Sequence, residues 1–199
     1  MRPMRTEILL YDGFDELDGL GPFEVLRTAG LEAELVSIDG PADITGSHGA
    51  VIRTARALGN PDLVIVPGGG WNTRSGAGAW GEAQRGTIPA ALAERHAAGG
   101  RIASVCTGGM LLATAGILRD RPAVTHQTAL ADLAESGARV IDARVVDDGD
   151  VLTAGGVMSG IDLALHLVEG ALGAEAADQA AYEIEHHRQG TVWTAAVSG

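Results

Sequence analysis

The sequence predicts a single α/β domain, spanning residues 1–199. Its core is a doubly wound parallel sheet with helices on both faces and a small antiparallel hairpin. Three observations predict this. Short apolar runs alternate with helical patterns along nearly the whole chain. The runs are continuously apolar rather than alternating, as expected of strands covered on both faces. The 29 glycines fall mostly in pairs or at the ends of those runs, which implies tight strand-to-helix connections. No linker, internal repeat or low-complexity block interrupts the pattern.

The elements follow in order. "EILLY" (residues 7–11) is a buried strand ending at Asp12-Gly13. "FDELDGLGPFEVLRTAG" is helical, with Gly30 as its stop; Pro22 must kink it or open a second helix. "AELVSI" (33–38) is a strand, and "LVIVPGGG" (63–70) is a strand entering a glycine loop. "IPAALAERHAAGG" is a helix closed by glycine. "RIASV" is a strand, followed by a helix from Thr107 to Ala115. "AVTH" (123–126) is a further short strand, with a helix to about Glu135. "ARVVDDGDVLTAGG" holds two β-branched runs around Asp148-Gly149, a hairpin signal. "SGIDLALHLVEGALG" and "AEAADQAAYEIEHH" are helices. Beyond about Gln189 no pattern is evident.

Composition narrows the function. Hydrophobic residues make up 46% and aromatics only 4%, so Ala, Val, Leu and Ile fill the core. Fourteen Lys and Arg against 26 Asp and Glu give a net charge of −12, which argues against nucleic acid and anionic membranes. The single cysteine excludes an internal disulfide and a cysteine-rich zinc site. No apolar run approaches the ~20 residues of a membrane span, and "MRPMRTEILLYDG" lacks the features of a signal peptide. A cytoplasmic protein acting on a small molecule is expected. No cofactor is expected, and no metal: His186 and His187 are adjacent rather than at ligand spacing.

Cys106 is the first candidate for chemistry. It falls where "RIASV" passes into a helix through Thr107, Gly108 and Gly109. Ligands gather at the carboxyl ends of strands in such sheets. A sharp strand-to-helix turn resembles the nucleophile elbow, and helix-terminal N–H groups there would lower the thiol pKa. The alternative is a small buried hydrophobe. The loop Pro67-Gly68-Gly69-Gly70 belongs to the same edge. Its Gly69 and Gly70 N–H groups could hold an oxyanion, or the loop is a plain turn. Asp18 shares a helical face with Phe14, Leu17, Gly21 and Val25, which would bury its carboxyl and favour the protonated form; a capping or loop role is the alternative. Asp15, Glu16 and Glu24 are expected to be solvated. His126 ends the strand after Cys106. Adjacency of consecutive strands would bring it to the sulfur as base or orienter; otherwise it is structural. Trp71 either walls the pocket or covers the core.

Taken in order, "EILLYDGFDELDGLGPFEVL", "PDLVIVPGGG", "SVCTGG", "TH" and "LTAGGVMSGIDLALHLVEG" resemble the ThiJ/PfpI superfamily, the class-I glutamine-amidotransferase-like fold. The resemblance implies a flavodoxin-like sandwich with a nucleophile-elbow cysteine, assembled as a homodimer. "LDGLGPFEVL", "SVCTGG" and "GGVMSGIDLAL" look most like the branch of isonitrile hydratases and the sensor-like domains of AraC-type regulators. The hydratase resemblance implies Asp18, Cys106 and Thr107 as functional residues and addition of water to an isonitrile. It departs at Gln127, where the hydratases carry an aromatic. The glyoxalase and deglycase branch resembles this chain less at Asp18, where it uses glutamate. Glyoxalase-like or amidase-like action on small carbonyl compounds, and a non-catalytic small-molecule or redox sensor, stand as alternatives.

Overall fold

A computed structural model describes residues 4–195. Seven strands build the central sheet: β1 (Arg5–Leu9), β2 (Glu32–Val36), β5 (Leu63–Val66), β6 (Arg101–Val105), β9 (Val145–Asp147), β10 (Val151–Ala154) and β11 (Val192–Thr194). Their order across the sheet is β11-β9-β10-β6-β5-β1-β2. The five from β2 to β10 run parallel. β9 is antiparallel to β10, which places the expected hairpin at Asp148-Gly149. β5 and β10 are buried at every position; β5 is unbroken apolar, as strands covered on both faces require, and β10 adds only Thr153 to an apolar run.

Helix α1 (Glu16–Thr28), α6 (Ser159–Leu172) and α7 (Ala174–Glu183) pack together over one face. On the other lie α2 (Ala79–Arg85), α3 (Thr87–Ala97) and α4 (Gly108–Thr114), with α5 (Leu130–Glu135) against α4. Pro22 does not open a second helix. It sits inside a continuous helix, buried, with its ring facing the Gly160 backbone of α6. A glycine there leaves room for a ring on the opposing helix.

Three expectations are corrected. "AVTH" gives only a two-residue strand, β7 (Pro122–Ala123), paired with β8 (Arg139–Val140) outside the main sheet; the parallel neighbour of β6 toward that side is β10. Leu17 is 37% exposed, although helical spacing puts it on the buried face with Asp18. The reason is the helix start: Asp15 is the N-cap, so Phe14 lies before the helix and folds back onto Gly19, and the inward stripe is Asp18, Gly21, Pro22 and Val25. Finally, β11 lies in the segment past Gln189, and an antiparallel hairpin of β3 (Ala42–Thr45) and β4 (Val51–Thr54) forms where no strand pattern is evident in the sequence. Among the described residues, no helix is long and apolar enough to cross a membrane.

Candidate functional site

The site lies where the strand order reverses, at the carboxyl ends of β1, β5 and β6, the place a doubly wound sheet leaves open for a ligand. Each strand delivers one part. β6 runs into Cys106, whose φ of 55° is the left-handed turn of an elbow and a costly conformation for a residue with a Cβ. The turn is held from two sides. Cys106 N–H donates to the Ala154 and Gly155 carbonyls at 3.1 and 2.8 Å, and Cys106 C=O accepts from the buried Thr125 hydroxyl at 2.7 Å.

β5 delivers the glycine loop. A Cβ on Gly68 would lie 2.4 Å from Thr107 N, and one on Gly108 would lie 2.1 Å from the Val66 carbonyl. Only glycine lets the two turns approach this closely. Gly68 N–H donates to Asp18 Oδ2 at 3.0 Å, and Gly69 N–H to Thr107 Oγ1 at 2.9 Å. The second bond corrects the oxyanion expectation: Gly69 is already engaged, while no hydrogen bond is made by Gly70 N–H among the described residues. Because Thr107 Oγ1 accepts from Gly69, its own proton is free to donate. Tyr11, which sequence reasoning overlooked, donates from its hydroxyl to the Pro67 carbonyl and anchors the loop from beneath. The phenol's pKa is raised, chiefly by burial and then by Asp18 and Cys106.

β1 leads to Asp18, which is fully buried. Its carboxyl interacts with the Cys106 thiol, and its Oδ1 makes no hydrogen bond of strict geometry among the described residues. Burial, and then the charge of Asp15, pushes its pKa up to about 8 against the contrary pull of Gly68 N–H and the thiol. The acid is therefore protonated at neutral pH, as its buried setting predicts.

The sulfur differs from expectation. Cys106 is 6% exposed, and its pKa is raised rather than lowered. Burial is the largest cause and the Asp18 charge the second; Thr107 N–H, at the start of α4, pulls the other way. One helix-terminal amide does not offset the loss of water. The two groups therefore titrate as a coupled pair, and ionisation of one suppresses that of the other.

The sulfur opens on a pocket of about 190 Å³, lined among others by Asp15, Gly70, Trp71, Thr107 and His126. His126 thus reaches the site although β7 is not adjacent to β6. It arrives on the loop after β7, which Thr125 ties to the elbow. Trp71 has both expected roles: it walls the pocket and is 6% exposed, its Nε1 donating to Asp132 Oδ2 at 2.6 Å. Glu16 is not solvated as expected. It accepts from His48 N–H at 2.8 Å and Ala50 N–H at 3.2 Å and pairs with the His48 ring, fastening the β3–β4 hairpin to α1. These contacts lower the Glu16 pKa to about 2 in spite of partial burial. Asp15, Glu16 and His48 bring ligand-type atoms within 4.8 Å of one another, but Glu16 is already occupied by that fastening. A roomier cleft of about 620 Å³ lies toward the opposite ends of the strands, lined by Arg101, Asp147 and His166 and by none of the predicted site residues.

A buried acid facing an elbow cysteine beneath a glycine loop defines a class: α/β proteins with a cysteine centre at the switch point of a flavodoxin-like sheet. Within that class the chain belongs to the DJ-1/PfpI family, whose model matches residues 4–170. It is similar to an isonitrile hydratase from Pseudomonas putida, 31% identical over 188 residues, covering 92% of this chain and 78% of that protein. It is also similar to a deglycase from Thermococcus kodakarensis, 29% identical over 160 residues, covering 74% and 87%. A solved ThiJ/PfpI family structure from Pseudomonas syringae superposes with a TM-score of 0.82 at 26% identity, covering 95% of this chain and 77% of that one.

Proposed function

We propose that this protein is a cysteine-dependent hydratase that converts an isonitrile, R–N≡C, into an N-substituted formamide. The observation that carries this reading is the fully buried Asp18 carboxyl beside the Cys106 sulfur, where burial pushes its pKa up to about 8. An isonitrile carbon needs a nucleophile and a proton at the same atom. Cys106 and Asp18 would supply one each.

In the proposed cycle the resting pair, thiol and protonated acid, first releases the thiol proton to solvent, and it reacts through the minor form in which sulfur carries the charge and Asp18 the proton. Sulfur bonds to the terminal carbon as Asp18 protonates it, giving R–N=CH–S–Cys106 and an Asp18 carboxylate. Asp18 then takes a proton from water as the hydroxide adds to that carbon. The hydroxyl proton passes to nitrogen, the C–S bond breaks, and R–NH–CHO leaves with the pair restored. Thr107 Oγ–H and Gly70 N–H are the donors available to the adduct. The small open pocket suits a compact reacting end with the R group directed outward. A homodimer is the proposed assembly, to be checked by light scattering as a particle of twice the chain mass.

The test is formamide production from an alkyl or aryl isonitrile, followed by proton NMR, with methylglyoxal in parallel. Turnover of the isonitrile that vanishes in Cys106→Ala and Asp18→Ala supports the reading. Turnover of methylglyoxal alone replaces it with glyoxalase-like chemistry, and no turnover of either favours a sensor.

A further inference from the structure

His126 caps a 3₁₀ turn over Gln127–Ala129, and its Nδ1 accepts from the Thr128 backbone N–H at 3.3 Å. A backbone N–H can only donate. Nδ1 of the neutral ring is therefore the lone-pair nitrogen, and the proton sits on Nε2. The Thr128 hydroxyl reinforces this. Its oxygen accepts from Asn72 Nδ2 and lies 2.7 Å from His126 Nδ1, and with the backbone N–H marking Nδ1 as the bare nitrogen, the hydroxyl proton points there. Asn72 belongs to the pocket wall beside Trp71, and that wall is fixed in turn to α5. Trp71 Nε1 and Arg74 Nη2 both donate to Asp132 Oδ2, and the Arg74 guanidinium lies 4.0 Å from the Trp80 ring centroid.

The other ring nitrogen is unengaged. Nε2 makes no hydrogen bond among the described residues, and the ring edge that carries it faces Gly156, where a Cβ would lie 3.4 Å from Nε2. The same ring lines the pocket that holds Cys106. We propose that Thr128, held by Asn72, is a positioning residue that fixes His126, a wall residue of the Cys106 pocket, in the Nε2–H form, a hydrogen-bond donor to what binds there. His126 is then a stabiliser of charge on the bound adduct and not a base for the sulfur. In this form the neutral ring has no free lone pair, since Thr128 occupies Nδ1 and Nε2 carries the proton, and Asp18 already handles the proton transfer. The inference rests on the reading of this pocket as the reactive centre, but not on the substrate being an isonitrile.

The decisive measurement is ¹⁵N NMR of histidine-labelled protein at pH 8, above the ordinary histidine titration range. The wild type should show His126 protonated at Nε2 and bare at Nδ1. Thr128→Val keeps the longer backbone bond at 3.3 Å but loses the hydroxyl at 2.7 Å, so it should raise the Nδ1–H fraction above that of the wild type, and Thr128→Ser, which keeps the hydroxyl, should restore the wild-type pattern. A wild-type ring protonated at Nδ1 overturns the proposal whether or not any variant folds. So does a Thr128→Val spectrum identical to wild type. A kinetic readout separates donor from base on whichever substrate turns over. His126→Gln keeps a donor amide and should retain most activity, whereas His126→Ala should lose about 10²-fold. Equal losses in the two variants would refute the donor role. Failure of the isonitrile assay leaves the NMR result standing on its own.

Discussion

Replacing Asp18 by Asn should stabilise the protein increasingly as pH rises. Asp18 is buried with its pKa raised to about 8, against 3.8 for an ordinary aspartate. The unfolded chain releases this proton near pH 4, while the folded chain keeps it until about pH 8. Between those limits the unfolded state is favoured more with each step in pH, so wild-type stability falls through the window and levels off above it. The slope is ~1.36 kcal/mol per pH unit, which amounts to about 4 kcal/mol between pH 5 and pH 8. Asn cannot ionise and escapes this loss, yet it still accepts the Gly68 N–H bond. Any fixed cost of the swapped amide cancels when the two pH values are compared. The assay is urea unfolding of both proteins at pH 5, 6, 7 and 8, since the difference between them isolates Asp18 from the other carboxylates. A variant-minus-wild-type difference that stays flat across the series would refute the raised pKa and the proton assignment built on it.

Other expectations come from neighbouring residues. Thr107→Val leaves the Gly69 N–H without its acceptor, and should cost about 1–3 kcal/mol of stability while slowing turnover, read by thermal melts and formamide yield. Gly108→Ala would push a Cβ to 2.1 Å from the Val66 carbonyl; it should destabilise by about 3 kcal/mol or more, measured by chemical denaturation. Glu16 has its pKa lowered to about 2 through its bonds to the β3–β4 hairpin. Its stabilising contribution is complete above the ordinary glutamate range and is lost as pH falls toward 2. Wild type should therefore lose melting temperature more steeply than Glu16→Gln below pH 5, as scanning calorimetry would show.

Much of the architecture is legible because local and global signals agree. "LVIV" and "RIASV" leave little ambiguity: each is a short, mostly apolar run bounded by glycine, proline or a charged residue, too short for a helix and suited to a covered strand. Both lie at the sheet centre. The elbow is legible for a related reason, since Gly108 and Gly109 after Cys106 leave few other uses for such a turn. The β3–β4 hairpin is not legible. "ADIT" and "VIRT" carry polar and apolar residues in a weak pattern, and what fixes them is Glu16, a residue of a distant helix in the sequence. Leu17 and Asp18 show the limit of periodicity. A stripe counted from Phe14 takes in Leu17, but Phe14 precedes the helix, the buried positions within it include Asp18, Gly21, Pro22 and Val25, and the start depends on Asp15 capping rather than on hydrophobic spacing. The direction of the thiol pKa shift is hidden as well, because the sequence shows the helix terminus but not the depth of burial, which is the largest cause.

The chemistry depends on Asp18 holding a proton beside Cys106 at neutral pH. Infrared difference spectroscopy of wild type against Asp18→Asn tests it most directly, by the carbonyl stretch of a protonated carboxyl group. At pH 6.5 the wild type should show that band, the variant should lack it, and the band should fade as pH rises through about 8. Identical spectra at pH 6.5, with Asp18 already ionised, would contradict the claim.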